Sequence, residues 1–101
     1  AKRRYWPPGV PRDYKLSSLI LAFEFVGFKV CASEALDVST EKIALYADGD
    51  EYMHAARQLE NGKWTSKMGP DEDIEHDSPE DVEGPSFGKV AIIMSRKRPM
   101  P

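Results

Sequence analysis

A single cysteine, Cys31, stands in the 101 residues. The chain can therefore close no internal disulfide, and it lacks the thiolate set of a cysteine-based zinc site. No apolar run approaches the ~18 residues that read as a membrane span. The basic start Lys2-Arg3-Arg4 leads into Tyr5-Trp6-Pro7-Pro8, where a secretory leader would carry its apolar core. There are only two histidines, His54 and His76, on different segments, whereas histidine metal sites cluster their ligands. Neither a metal nor another cofactor is expected. Phosphate-cradling glycine loops, nucleophile-elbow serines and Cys/His fingers are missing as well. These absences point to a cytosolic protein without a membrane partner.

What is present fits one domain. Hydrophobic residues make up 41% and charged residues 31%, a globular balance and not a disordered one. A chain this short supports one core. Eight prolines and seven glycines cut it into short segments, which argues against a helical bundle.

Residues 1–12 read as an extended arm, since Pro7, Pro8 and Pro11 forbid helix and hold their predecessors extended; Tyr5 and Trp6 are apolar enough to pin it to the body. Asp13 is a helix N-cap candidate. Leu16, Leu19, Ile20, Phe23 and Val26 then recur at helical spacing, and Gly27 supplies the stop. The spacing predicts one helix over 13–26. Strands are predicted over 28–31, 42–47, 52–59, 63–68 and 88–95, with Asp48-Gly49-Asp50 and Asn61-Gly62 as hairpin turns. Short turns impose antiparallel pairing. The predicted fold is α+β: one N-terminal helix on an antiparallel sheet of four to five strands, spanning 28–95, with an acidic loop over 71–83 and a frayed tail over 96–101. Within the loop, Ser78-Pro79-Glu80-Asp81 reads as a helical turn.

Charge is unevenly spread. Lys2, Arg3, Arg4, Arg12 and Lys15 lie at the front and Arg96, Lys97 and Arg98 at the end. Asp71, Glu72, Asp73, Glu75, Asp77, Glu80, Asp81 and Glu83 supply eight of the 17 acids. The net charge of −3 and the small size of the basic patch argue against a nucleic-acid partner, although Tyr5 and Trp6 are of a type that stacks on bases.

Few residues suit chemistry. Alternation places Tyr52, His54, Ala56 and Gln58 on one strand face, with room for the His54 imidazole to act as a base. Cys31 is the sole thiol, at a strand end and not at a helix N-terminus, where a thiolate is favoured. His76 sits between Glu75 and Asp77, in a setting that reads as solvent-exposed. Trp64 and Ser66 share a face, and Lys67 on the other face can meet an anion; with Arg57, Asp71, Asp73 and Glu75 they form the candidate binding set.

Several segments are familiar in combination: 5–12 (YWPPGVPR), 27–31 (GFKVC), 41–46 (EKIALY), 54–59 (HAARQL), 62–69 (GKWTSKMG) and 73–76 (DIEH). Together they resemble an uncharacterised bacterial family over nearly the whole chain. Longer relatives carry an upstream cysteine, and their layout is similar to papain-like and cell-wall-peptidase-like folds. That resemblance implies a papain-like scaffold in which His54 is the catalytic histidine and His76 or a neighbouring polar group orients it. This chain has no cysteine before its helix, and Cys31 comes after it.

Three readings follow. The first is a non-enzymatic, or catalytically incomplete, papain-like module that binds a protein or peptide partner. The second is a cysteine peptidase or amidase using His54 with Cys31 or an upstream cysteine. The third is an acidic inhibitor or nucleic-acid mimic acting through 71–83.

Overall fold

The computed structural model describes Pro7 and residues 9–69 and 72–99. Most of the predicted arm, together with Asp71, Met100 and Pro101, lies outside the described residues. Helix α1 spans Leu16–Phe25, and the strands are β1 (Lys29–Cys31), β2 (Thr40–Asp48), β3 (Glu51–Gln58), β4 (Trp64–Gly69), β5 (Glu72–His76) and β6 (Lys89–Lys97). A short 3-10 turn, Pro79–Val82, follows β5. The strands form one sheet in the order β1-β6-β2-β3-β4-β5, and every pairing is antiparallel.

The α+β class stands, but the sheet has six strands and not four to five. The extra one is β5, inside the stretch expected to be an acidic loop. An edge strand needs only one ladder and keeps its other side in water, so a run of carboxylates does not prevent it. The helix begins three residues later than the spacing suggests. Asp13 is not the N-cap: that position is Lys15, without a side-chain cap, and Asp13 Oδ1, from two positions earlier, accepts the Lys15 N–H at 3.1 Å. Gly27, at φ 99°, closes the helix as expected. The tail also departs from expectation: Arg96 and Lys97 belong to β6. Arg96 lies over the Phe28 ring, donates to Glu41 Oε2 at 2.6 Å and reaches the Val26 carbonyl at 2.9 Å. Such an ordered pair adds on the order of 1 kcal/mol at a partly exposed site.

The helix packs Leu16, Leu19, Ile20 and Phe23 against Phe28, Ile43, Leu45 and Met94 on one face of the sheet. Ala44, Tyr46, Ala56, Trp64 and Ile93 form a second core on the other face. Among the described residues no second α-helix covers that face. Its cover is the 3-10 turn and the loop after it: Val82 and Phe87 pack on it, and Pro79 is buried. The loop after β1 is tied down by buried polar side chains. Lys42 Nζ donates to the carbonyls of Ser33 and Ala35, and Gln58 Nε2 donates to that of Glu34. A buried ammonium or amide is tolerated only with such partners.

Both neighbours of β2 slip by one residue at the level of Tyr46. Tyr46 faces His54 while Ala47 faces Tyr52, leaving Met53 as the extra residue of β3. On the other side Leu45 faces Ile92 while Tyr46 faces Val90, leaving Ala91 extra in β6. Each bulge inverts the alternation beyond it. Consequently Tyr52 packs with the helix-side core, whereas His54 stands over the other face beside Tyr46. The expected common face for Tyr52 and His54 is thus corrected. Among the described residues no helix is long and apolar enough to cross a membrane.

Candidate functional site

The second face of the sheet gathers most of the chemistry-bearing side chains. His54 lies flat on Phe87, with ring centroids 4.1 Å apart, and leans on Tyr46 at 5.3 Å. Its Nε2 is buried and has no hydrogen-bond partner among the described residues. Burial first, and the nearby His76 second, hold its pKa below the ordinary imidazole value, so at neutral pH the ring is uncharged. The phenol of Tyr46 donates to the Pro79 carbonyl at 2.5 Å. Burial, together with the carboxylates of Glu80, Glu83, Glu34 and Asp81, pushes its pKa far up, which keeps it a donor.

His76 is buried at 8% exposure, contrary to the expected solvent-facing histidine. Its Nδ1 lies 2.7 Å from the Ser78 carbonyl and its Nε2 lies 2.8 Å from Ser66 Oγ. A carbonyl only accepts, so Nδ1 carries the proton and Nε2 accepts from the Ser66 hydroxyl. The Ser66–His76–carbonyl chain has the order of an activated hydroxyl: nucleophile, base, orienter. Yet Ser66 is only 2% exposed, with no room for a carbonyl substrate at its oxygen. The chain instead fastens the turn after β5 to β4. Sequence reasoning names all three residues but not their contact, because without β5 there is no register to bring His76 opposite Trp64 and diagonal to Ser66. The signal was the alternation in Asp73-Ile74-Glu75-His76, with Ile74 half-buried and His76 buried.

Cys31 and His54 share this face but lie on β1 and β3, three strand spacings apart, about 14 Å. The Cys31 thiol donates to the Ser33 carbonyl at 3.5 Å. His76 does not orient His54, since both of its nitrogens are engaged elsewhere. The thiol, imidazole and orienter of a papain-like centre are therefore not brought together by Cys31, His54 and His76.

A further cluster went unnoticed in the sequence. Glu34, on the loop after β1, has its pKa raised to about 7 by a hydrogen bond with the Glu80 carboxyl, then by burial, then by the charges of Glu80 and Glu83. The Glu34 and Glu80 carboxyls thus approach each other between that loop and the 3-10 turn. Asp81 secures the same turn, its Oδ2 accepting the N–H groups of Asp77 and Ser78 at 3.1 Å each. Among the described residues no group of three His, Cys, Asp or Glu side chains is arranged to hold a metal ion.

The remaining candidates lie on the helix-side face, beyond the helix. Arg57, Thr65 and Glu75 stand in one row across β3, β4 and β5, and Lys67 stands opposite Asp73. All but the half-buried Thr65 are exposed. Trp64, by contrast, is fully buried on the other face.

A family model described as "Domain of unknown function (DUF7689)" matches residues 1–95. The chain belongs to this family. The match takes in the helix, the first five strands and most of β6, hence every candidate site residue named above. No curated protein and no solved structure matches the chain.

Proposed function

We propose that this domain is a non-catalytic interaction module that takes an extended, basic segment of a partner protein along the outer edge of β5. The observation that carries the reading is the position of β5 at the end of the sheet, with Glu72, Asp73 and Glu75 exposed on it. Asp77, Glu80 and Asp81 continue the acidic rim. Among the described residues its nearby cations are few: Lys67 opposite Asp73, and Lys63 Nζ at 4.0 Å from Asp77. A free edge offers backbone donors and acceptors to an added strand, and the carboxylates select a cationic one. Isolated edges also carry charge to discourage pairing between copies; a basic partner is the kind that such charge admits.

The hydrolase reading has weaker support. The thiol of Cys31 is about three strands from the His54 ring, and the hydroxyl that does meet a histidine is buried. A papain-like centre would need a nucleophile other than Cys31.

The test is a titration of 15N-labelled protein with a blocked octapeptide alternating lysine and threonine. Saturable amide shifts centred on 72–77, lost in the double variant Glu72→Lys/Glu75→Lys, are expected. Shifts absent from β5 at millimolar peptide, or unchanged by the charge reversal, would overturn the reading.

A further inference from the structure

At the end of β3 the chain turns through Leu59, Glu60 and Asn61 beside an open hollow of about 440 Å³, with Arg98, just past β6, also on its border. Arg57, Gln58, Leu59, Glu60, Asn61 and Arg98 line it. Neither the Arg57 nor the Arg98 guanidinium has a carboxylate partner among the described residues; Arg96, two positions before Arg98, takes Glu41. Two arginines against one glutamate give the hollow a surplus of positive charge in a chain of net charge −3, and such a surplus attracts an anion.

The other groups sharpen the site. Asn61 Oδ1 accepts the Lys63 N–H at 2.9 Å, which leaves its amide NH₂ as a donor. Gln58 is already engaged, its Nε2 donating to the Glu34 and Gly62 carbonyls. Glu60, exposed on the rim, is the one acceptor of charge and suits hydroxyl groups. Planar guanidinium forks match the paired oxygens of a phosphate. The volume lies in the range of small-molecule sites and exceeds what a bare phosphate fills.

We propose that this hollow binds the phosphate monoester of a small hydroxylated molecule, with Arg57 and Arg98 clamping the phosphoryl oxygens, Asn61 donating a further hydrogen bond and Glu60 accepting from a hydroxyl. It sits at the turn between β3 and β4 and is lined by none of the carboxylates of the peptide reading.

The experiment follows backbone and arginine Nε–H resonances of the intact chain while inorganic phosphate, glucose 6-phosphate or sulfate is added. Saturable shifts at 57–61 and 98 are expected, with the sugar phosphate binding more tightly than inorganic phosphate. Arg57→Gln and Arg98→Gln should each weaken binding about tenfold, the size of one charged hydrogen bond, and Glu60→Gln should erase the preference for the sugar phosphate. Glu24→Gln, on the exposed side of the helix, should leave the affinity unchanged. Equal shifts at Lys29, Lys89 and Lys97, no saturation at 50 millimolar (about the limit of useful affinity), or affinity that survives both arginine substitutions would overturn the assignment. The two side chains make no ion pair among the described residues, and the unperturbed spectrum of each variant checks that it is folded.

Discussion

The imidazole of His54 stacks on the ring of Phe87, the two planes 11° apart, while its Nε2 is buried with no hydrogen-bond partner among the described residues. The ring contact stabilises and the orphaned nitrogen destabilises. His54→Phe retains the first and removes the second, so it should raise the urea midpoint, by about 1 kcal/mol of stability. His54→Ala removes both and should lose about 3 kcal/mol through the cavity it leaves. A fall in stability for His54→Phe would mean that the nitrogen is serving the fold.

Ser66 and His76 test the opposite case, a satisfied buried pair. Ser66→Ala strands the His76 Nε2 in a closed space and should cost about 1–3 kcal/mol, read from urea unfolding. The lost bond also anchors the turn that carries the Ser78 carbonyl. Amide exchange in 77–83 should therefore quicken more than in β2. Uniform quickening throughout the sheet would assign Ser66 to global packing alone.

Gly88 opens β6 at φ 78°, and a Cβ there would come within 2.6 Å of the Ala47 carbonyl oxygen. The obstacle is backbone of the central strand, which cannot swing aside. Gly88→Ala should thus cost more than the ~1–3 kcal/mol of left-handed strain. Gly49, at φ 59° with nothing within 4 Å of its missing Cβ, should show the strain alone. Comparing the two unfolding free energies isolates the steric part.

These residues also mark what could be read from the chain itself. Leu16, Leu19, Ile20 and Phe23 announce the helix because its face depends only on local spacing. The face of His54 depends on the bulge at Met53, and a bulge belongs to a pair of strands, not to one. Tyr52 and His54 therefore look like neighbours in the sequence and are separated by the sheet. His76 was hidden for a related reason: acids on an edge strand resemble a loop until the ladder with β4 is known. Arg96 looks like frayed tail because its partners, Glu41, Val26 and Phe28, are 55 or more positions away.

Glu34 gives the fold a pH dependence near neutrality. Its folded pKa of about 7 stands above the ordinary carboxyl value of 4.5, so the folded state binds the proton more tightly. Its contribution is fully present below pH ~4.5 and is lost as pH rises through about 7. His54 acts in the reverse sense, because its depressed pKa removes stability as pH falls below its ordinary titration. The difference between the protein and its Glu34→Gln variant separates them. That variant should gain relative stability steadily from pH 4.5 to 7 and hold the gain above, measured as the shift in urea midpoint. A flat difference across that range would mean that Glu34 and Glu80 share no proton.

Cys31 supplies the last test, of the thiol's isolation from any base. Its sulfur contacts the Ser33 carbonyl, and the His54 ring lies three strands away. A thiolate is generated by a neighbouring base or cation. The rate of Cys31 labelling by a disulfide reagent at pH 7 should therefore match that of an ordinary half-buried thiol, and should not change in His54→Phe, which preserves the packing around Phe87. A rate that collapses on that substitution would place sulfur and imidazole in contact and return the domain to the hydrolases.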